Sequence, residues 1–252
     1  MGKLRAFSVV LLSAAPTLAI AGPATAAAYV WNFDNPLGSV NSSHAYKDTT
    51  NSFSLFASGY KTTSASPASP SLGQTWGPSG GYNFSTGTIT PIKLYGKVST
   101  PDETGLGLDG LDDDHEIQPN SFVQLNLSDF FTHGLTNLTM SVSSVQTYEG
   151  FYVWGSNSPG IPGILLKIGR NPNTGGVEQS FPVPQYGAYT YISVSATPSY
   201  PGHDSDILIR NGLTATAPEP ATLLLICVGG LLMRRRQRAL PGNPGSPGRG
   251  HR

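Results

Sequence analysis

Leu138-Thr139-Met140-Ser141-Val142-Ser143 is the stretch that decides the fold. Large apolar side chains at 138, 140 and 142 alternate with small polar ones, a period of two that suits a β-strand with one buried face. Val123, Leu125 and Leu127 alternate in the same way with Gln124 and Asn126. Ile192, Val194 and Ala196 repeat the pattern, and Ser193 and Ser195 are expected to face outward. Shorter strand-like runs lie at Tyr29–Phe33, Ser52–Ala57, Ile89–Val98, Gly150–Gly155, Ile164–Ile168, Asp206–Arg210 and Leu213–Thr216. Clusters of Gly, Pro, Asn and Asp punctuate them at the spacing of an all-β sandwich, and no long stretch has helical periodicity. The expected fold is therefore all-β, an antiparallel β-sandwich of jelly-roll-like form, with an Ig-like sandwich as the alternative. Residues 62–81, rich in Pro, Ser and Gly, read as a long irregular loop that could help cover one face.

Composition points outside the cell. Only 12% of residues are charged, while Gly, Ser, Thr, Asn and aromatics are plentiful, the palette of an extracellular β protein. The formal net charge of zero hides an asymmetry. Residues 29–217 carry seven Lys or Arg against fourteen Asp or Glu, so this part is acidic and the basic residues sit at the two ends. An acidic domain repels nucleic acid, which is excluded as a partner. The single cysteine, Cys227, lies in an apolar stretch near the end, so the domain has no disulfide.

Both ends read as addresses. Lys3 and Arg5 precede the apolar stretch Phe7–Ile20, and Ala24-Thr25-Ala26 offers a cleavage site, so residues 1–28 are expected to be a secretory signal peptide. At the other end Pro218-Glu219-Pro220 separates the domain from thirteen almost wholly apolar residues, Ala221–Met233, followed by Arg234-Arg235-Arg236-Gln237-Arg238. As a helix the apolar run would span roughly 20 Å, short of a hydrocarbon core of about 30 Å, so it would make a weak and temporary anchor. The arginines would hold its end on the cytoplasmic side.

The proline–glutamate–proline triplet, short apolar run and arginine cluster at 218–238 resemble the PEP-CTERM sorting signal of exported proteins in Gram-negative bacteria. The resemblance implies a membrane-embedded processing protease, exosortase, as partner, with Pro218, Glu219, Pro220, Arg234, Arg235 and Arg236 as the sorting residues. It further implies an inner-membrane-anchored precursor, then a destination at the cell surface or in the extracellular matrix, with exopolysaccharide nearby. Residues 239–252, rich in Pro, Gly and Arg, continue past the usual end of such signals and are expected to be a disordered basic tail.

A second resemblance covers roughly residues 90–217. Leu94-Tyr95-Gly96-Lys97, Asp102-Glu103-Thr104-Gly105-Leu106-Gly107-Leu108, Asp114-His115-Glu116-Ile117 and Ser121-Phe122-Val123-Gln124-Leu125 occur in that order. Glu149-Gly150-Phe151, Trp154-Gly155-Ser156-Asn157 and Tyr189-Thr190-Tyr191-Ile192-Ser193-Val194 follow. The succession is similar to a recurrent ectodomain among PEP-CTERM proteins. It supports the fold and the destination and supplies no catalytic residue.

Candidate chemistry gathers in one segment. Asp102, Glu103, Asp109, Asp112, Asp113, Asp114 and Glu116 crowd together with three glycines. Calcium takes six to eight oxygen ligands, and Asp109, Asp112, Asp114 and Glu116 are its candidate ligands; calcium is the only cofactor the sequence suggests. The full calcium-loop pattern is missing, and a solvated acidic loop explains the same residues. No nucleophile elbow, zinc-protease helix or phosphate loop is present, so the expected role is non-enzymatic, structural or adhesive. The alternative is a calcium- or carbohydrate-binding module. Trp76, in a Gly/Pro-rich stretch, is the aromatic best placed to stack on a sugar, whereas Trp154 alternates with Tyr152 and reads as core.

Overall fold

A computed structural model of the protein describes residues 26–217, apart from 64–71, 73–87, 101–102, 148, 172–176 and 199–204. The expected signal peptide up to residue 25, most of the expected 62–81 loop including Trp76, the sorting residues 218–238 and the expected basic tail lie outside the described residues.

Two antiparallel sheets form the domain, as the period-two pattern predicts. The first comprises β1 (Ala28–Trp31), β2 (Gly38–Ser39), β6 (Leu94–Val98), β7 (Thr104–Leu108), β9 (Thr136–Val145), β12 (Val177–Pro182), β14 (Leu208–Arg210) and β15 (Leu213–Thr216). The second comprises β3 (Ser43–Lys47), β4 (Ser54–Thr62), β5 (Ile89–Ile92), β8 (Ser121–Asn126), β10 (Gly150–Ser156), β11 (Ile164–Arg170) and β13 (Tyr191–Ala196). The second sheet runs β11-β10-β13-β8-β4-β3, with β5 also on β4. The first runs β1-β15-β9-β14-β7-β6-β2, and β12 takes the other edge of β9, since Val142 pairs with both Gln179 and Ile209. One short helix, α1 (Ser128–Thr132), closes the turn after β8.

β9, the strand of the deciding stretch, is the spine of its sheet. Leu138, Met140 and Val142 are buried in a core that takes Trp31, Leu94, Leu106 and Ile209 from the same sheet. Leu55, Val123, Leu125, Phe151, Val153 and Val194 meet them from the other. Each such side chain contributes about 1.5–3 kcal/mol on leaving water. Phe130 of α1 stacks on Trp31 with ring centroids 4.5 Å apart, sealing one end.

The alternating serines are not solvated. Ser193 and Ser195 are fully buried, and Gln124 is nearly so. They share the far face of the second sheet with Phe122, Tyr152, Trp154 and Leu165, which form a second apolar cluster. Their polar atoms are satisfied within it: Trp154 Nε1 donates to Ser195 Oγ at 3.0 Å, and Gln124 Nε2 donates to Ser193 Oγ at 3.1 Å. The expectation that these serines face outward is thus corrected. The period of two was right, but both faces of this sheet are dry, and a serine with a partner fits either face.

Sequence reading also joined or missed strands. Ile89–Val98 is two strands, β5 in one sheet and β6 in the other. β3 has a single large apolar residue, Tyr46, and β7 has glycine where polar side chains would alternate with Leu106 and Leu108, so neither shows the usual pattern. In β7 the glycine is required, because a Cβ on Gly107 would run into the carbonyl oxygen of His115. Gly107→Ala is expected to cost about 2–3 kcal/mol, since backbone must move to relieve the overlap. Urea denaturation reads this directly, and a change below about 0.5 kcal/mol would show that the His115 turn yields freely.

Candidate functional site

The acidic segment between β7 and β8 is a tied loop, not a splayed one. Asp112 Oδ1 accepts the backbone N–H groups of Asp114 and His115 at 3.1 and 3.0 Å, and Gln118 Nε2 donates to Asp112 Oδ2. Asp109 Oδ1 stands 3.4 Å from His115 Nδ1, and the His115 ring lies flat on Tyr95, with centroids 3.8 Å apart. Asp114 is exposed. Glu116 turns inward. Asp109, Asp112 and Glu116 therefore serve different partners and Asp114 faces solvent, and among the described residues no three His, Cys, Asp or Glu side chains are grouped to hold one metal ion.

Glu116 opens a different site, at the sandwich end beneath this loop. Its Oε1 accepts from Lys97 Nζ at 2.6 Å and from Ser144 Oγ at 3.1 Å, while Oε2 is buried with no partner. Burial lifts its pKa above the usual carboxylate range, and the Lys97 hydrogen bond and charge only partly offset this. Lys97 also faces Glu103 at 3.7 Å. Two further carboxylates converge. Ile117 and Ile207 exchange backbone hydrogen bonds of 2.8 and 3.1 Å, which brings Asp206 alongside the loop, with its Oδ1 buried and unpartnered. Glu149, buried in the turn between β9 and β10, accepts the Gln146 N–H on Oε2 at 2.6 Å. Burial pushes Glu149 up to about 7, with the charge of Glu116 adding to it. Burial pushes Asp206 up to about 8, reinforced by the charges of Glu116, Glu149, Asp112 and Asp114. Burial, with the charge of Glu116 added for Glu149 and Asp206, thus favours the protonated forms of these carboxylates. Sequence reasoning missed Glu149 and Asp206 as groups that feel the charge of Glu116, because Asp206 arrives through the Ile117–Ile207 pairing and Glu149 through the turn after β9.

A second feature lies at the other end. The chain after β1 and the turn between β3 and β4 enclose a polar hollow of about 580 Å³. Asn32, Asp34, Asn35, His44, Lys47 and Asn51 line it. Its floor is fixed by Asp48, which accepts the Thr50 and Phe53 N–H groups at 2.8 and 2.7 Å and the Thr50 hydroxyl. Burial works to raise the Asp48 pKa, but those hydrogen bonds outweigh it and hold the pKa below the usual range.

The described domain ends at β15, whose Thr216 pairs with Ala28, and Ala217 N–H donates to Ala27 O at 3.0 Å. A family model, described as the PEP-CTERM protein-sorting motif, matches residues 216–238, starting on this last residue of β15. The chain carries a PEP-CTERM sorting motif. No curated protein and no solved structure matches the chain. The PEP-CTERM motif indicates an exported protein with a C-terminal membrane anchor, sorted by way of exosortase, a membrane enzyme. Among the described residues no helix is long and apolar enough to cross a membrane; the apolar run Ala221–Met233 lies beyond them.

Proposed function

We propose that this protein is a sorted surface component, a β-sandwich delivered to the cell surface or extracellular matrix of a Gram-negative bacterium in a non-enzymatic, structural or adhesive role. The observation that carries this reading is the adjacency of the PEP-CTERM motif at 216–238 to the last strand of the compact unit Ala26–Pro218. The domain is cargo and the tail is its address. Pro218, Glu219 and Pro220 would present an extended segment for processing, since proline cannot continue β15 or enter a helix. Arg234, Arg235 and Arg236 would hold the far end of the apolar run in the cytoplasm until cleavage.

Replacing Pro218-Glu219-Pro220 with three alanines is expected to leave a longer, membrane-bound form in the native host, with little of the shorter form released. Immunoblots of membrane, surface and medium fractions read both. Unchanged release of a shortened chain would overturn the proposal.

A second reading is favoured by one feature, the polar hollow between Asn32 and Asn51: the domain binds a carbohydrate, such as an exopolysaccharide of the matrix.

A further inference from the structure

The hollow beside β1 can be assigned a ligand class from its chemistry. Asn32, Asp34, Asn35 and Asn51 make no side-chain hydrogen bond within the described residues, and all border one cavity. Each asparagine offers two donors and two acceptor lone pairs from one planar group. Hydroxyl groups on neighbouring carbons need that mixture, since every hydroxyl both donates and accepts. The charges do not favour an ionic ligand. Lys47 Nζ donates to Ser54 Oγ at 2.7 Å, its charge is matched by that of Asp34 on the same lining, and Asp48 is saturated by the hydrogen bonds that fix the floor.

The walls are also held in place before any ligand arrives. Asn32 and Asp34 alternate with Trp31 and Phe33, both fully buried, so the polar pair projects from an anchored segment. Phe33 N–H donates to Asn211 Oδ1 at 2.6 Å, Thr49 N–H donates to Val30 O at 2.8 Å, and Trp31 bridges to Asp48. Tyr46, buried between Ala45 and Lys47, packs against Phe33 and His44 with centroids 5.0 and 4.8 Å away. A site whose polar groups ride on fixed backbone loses little freedom on binding. Its volume falls within the range of about 300–1,000 Å³ that accommodates small ligands.

We propose that this hollow is a binding site for a neutral, hydroxyl-rich saccharide, held by Asn32, Asn35 and Asn51 with His44 as its one ring. The proposal rests on the carbohydrate-binding reading and gives it a site and a ligand class. With no wide aromatic platform, binding of a single chain end is weak, near the millimolar range. Many copies on one surface would bind a long polymer far more tightly than one does.

The test uses the compact unit Ala26–Pro218, which holds the whole described core. Neutral tetrasaccharides of glucose, mannose and xylose would be titrated while backbone amide resonances are followed. The expected result is saturable shifts at residues 32–36 and 44–51 for at least one of them, weakened tenfold or more in the double variant Asn32→Ala, Asn51→Gly. Glycine suits position 51, where the backbone has φ near +59°. Unchanged melting of the variant would show that loss of binding is not loss of fold. No response up to about 10 mM, or shifts mapping elsewhere, would overturn the proposal. A response to uronic-acid or sulfated oligosaccharides alone would overturn the ligand class. None of these outcomes bears on sorting, which the tail substitution tests separately.

Discussion

Between about pH 5 and pH 8 the domain is expected to lose up to about 6 kcal/mol of stability. The sign follows from Glu149 and Asp206, raised to about 7 and about 8 in the folded protein. An unfolded chain releases these protons near pH 4, so between that point and the folded values the native state holds protons the unfolded state has lost. Stability contributed by the retained protons is complete below the unfolded values and gone once pH passes the folded ones. Each group contributes a slope of about 1.4 kcal/mol per pH unit inside its window. Asp48 acts oppositely, since its lowered pKa makes the hollow's floor weaken in strong acid. The optimum therefore lies in mild acid. Thermal melting across the range measures it, and Glu149→Gln with Asp206→Asn should flatten the alkaline fall. A melting temperature that is level or rising from about pH 5 to pH 8 would remove the cluster from the account.

The second large effect concerns Lys97. Removing its ammonium by Lys97→Met leaves the Glu116 carboxylate, 2% exposed, with only the Ser144 hydroxyl for company. Breaking one side of a buried ion pair costs about 3–5 kcal/mol, far more than the pair contributes when intact. The double variant Lys97→Met, Glu116→Gln should recover most of that loss, because no uncompensated charge is left. Denaturant midpoints at neutral pH decide the matter. If the double variant is no better than the single one, the lysine stem's packing is what matters, not its charge.

The parts of this fold legible in sequence were those where one face is apolar and the other polar. β9, β8 and β13 announce themselves through Leu138-Met140-Val142, Val123-Leu125 and Ile192-Val194. β3 and β7 do not, because Ser-His-Ala-Tyr-Lys and Thr-Gly-Leu-Gly-Leu owe their strand form to neighbours rather than to their own pattern. The sorting motif was fully legible, since triplet, apolar run and arginines are contiguous. The acidic segment was visible as charge, but not the division of labour within it. Asp112 ties a turn, whereas Glu116 faces the interior, and nothing in Asp-Asp-Asp-His-Glu separates the two. The hollow was hidden because Asn32, Asn35 and Asn51 are ordinary turn residues until the chain between β1 and the β3–β4 turn brings them together.

The pairing of Ala28 with Thr216 has a mechanical consequence. The chain enters and leaves the domain at adjacent points, on strands running in opposite directions. A pull applied at the tail against a hold at the front end would open β1 from β15 like a zip, one rung at a time, because the rungs lie across the strands. Shear, in which all rungs resist together, is not available to this geometry. A pull borne by the body of the domain instead would meet β9, which pairs with β12 from Thr139 to Val145 in the middle of the sheet. The domain is better suited to being shown than to being tugged by its two ends.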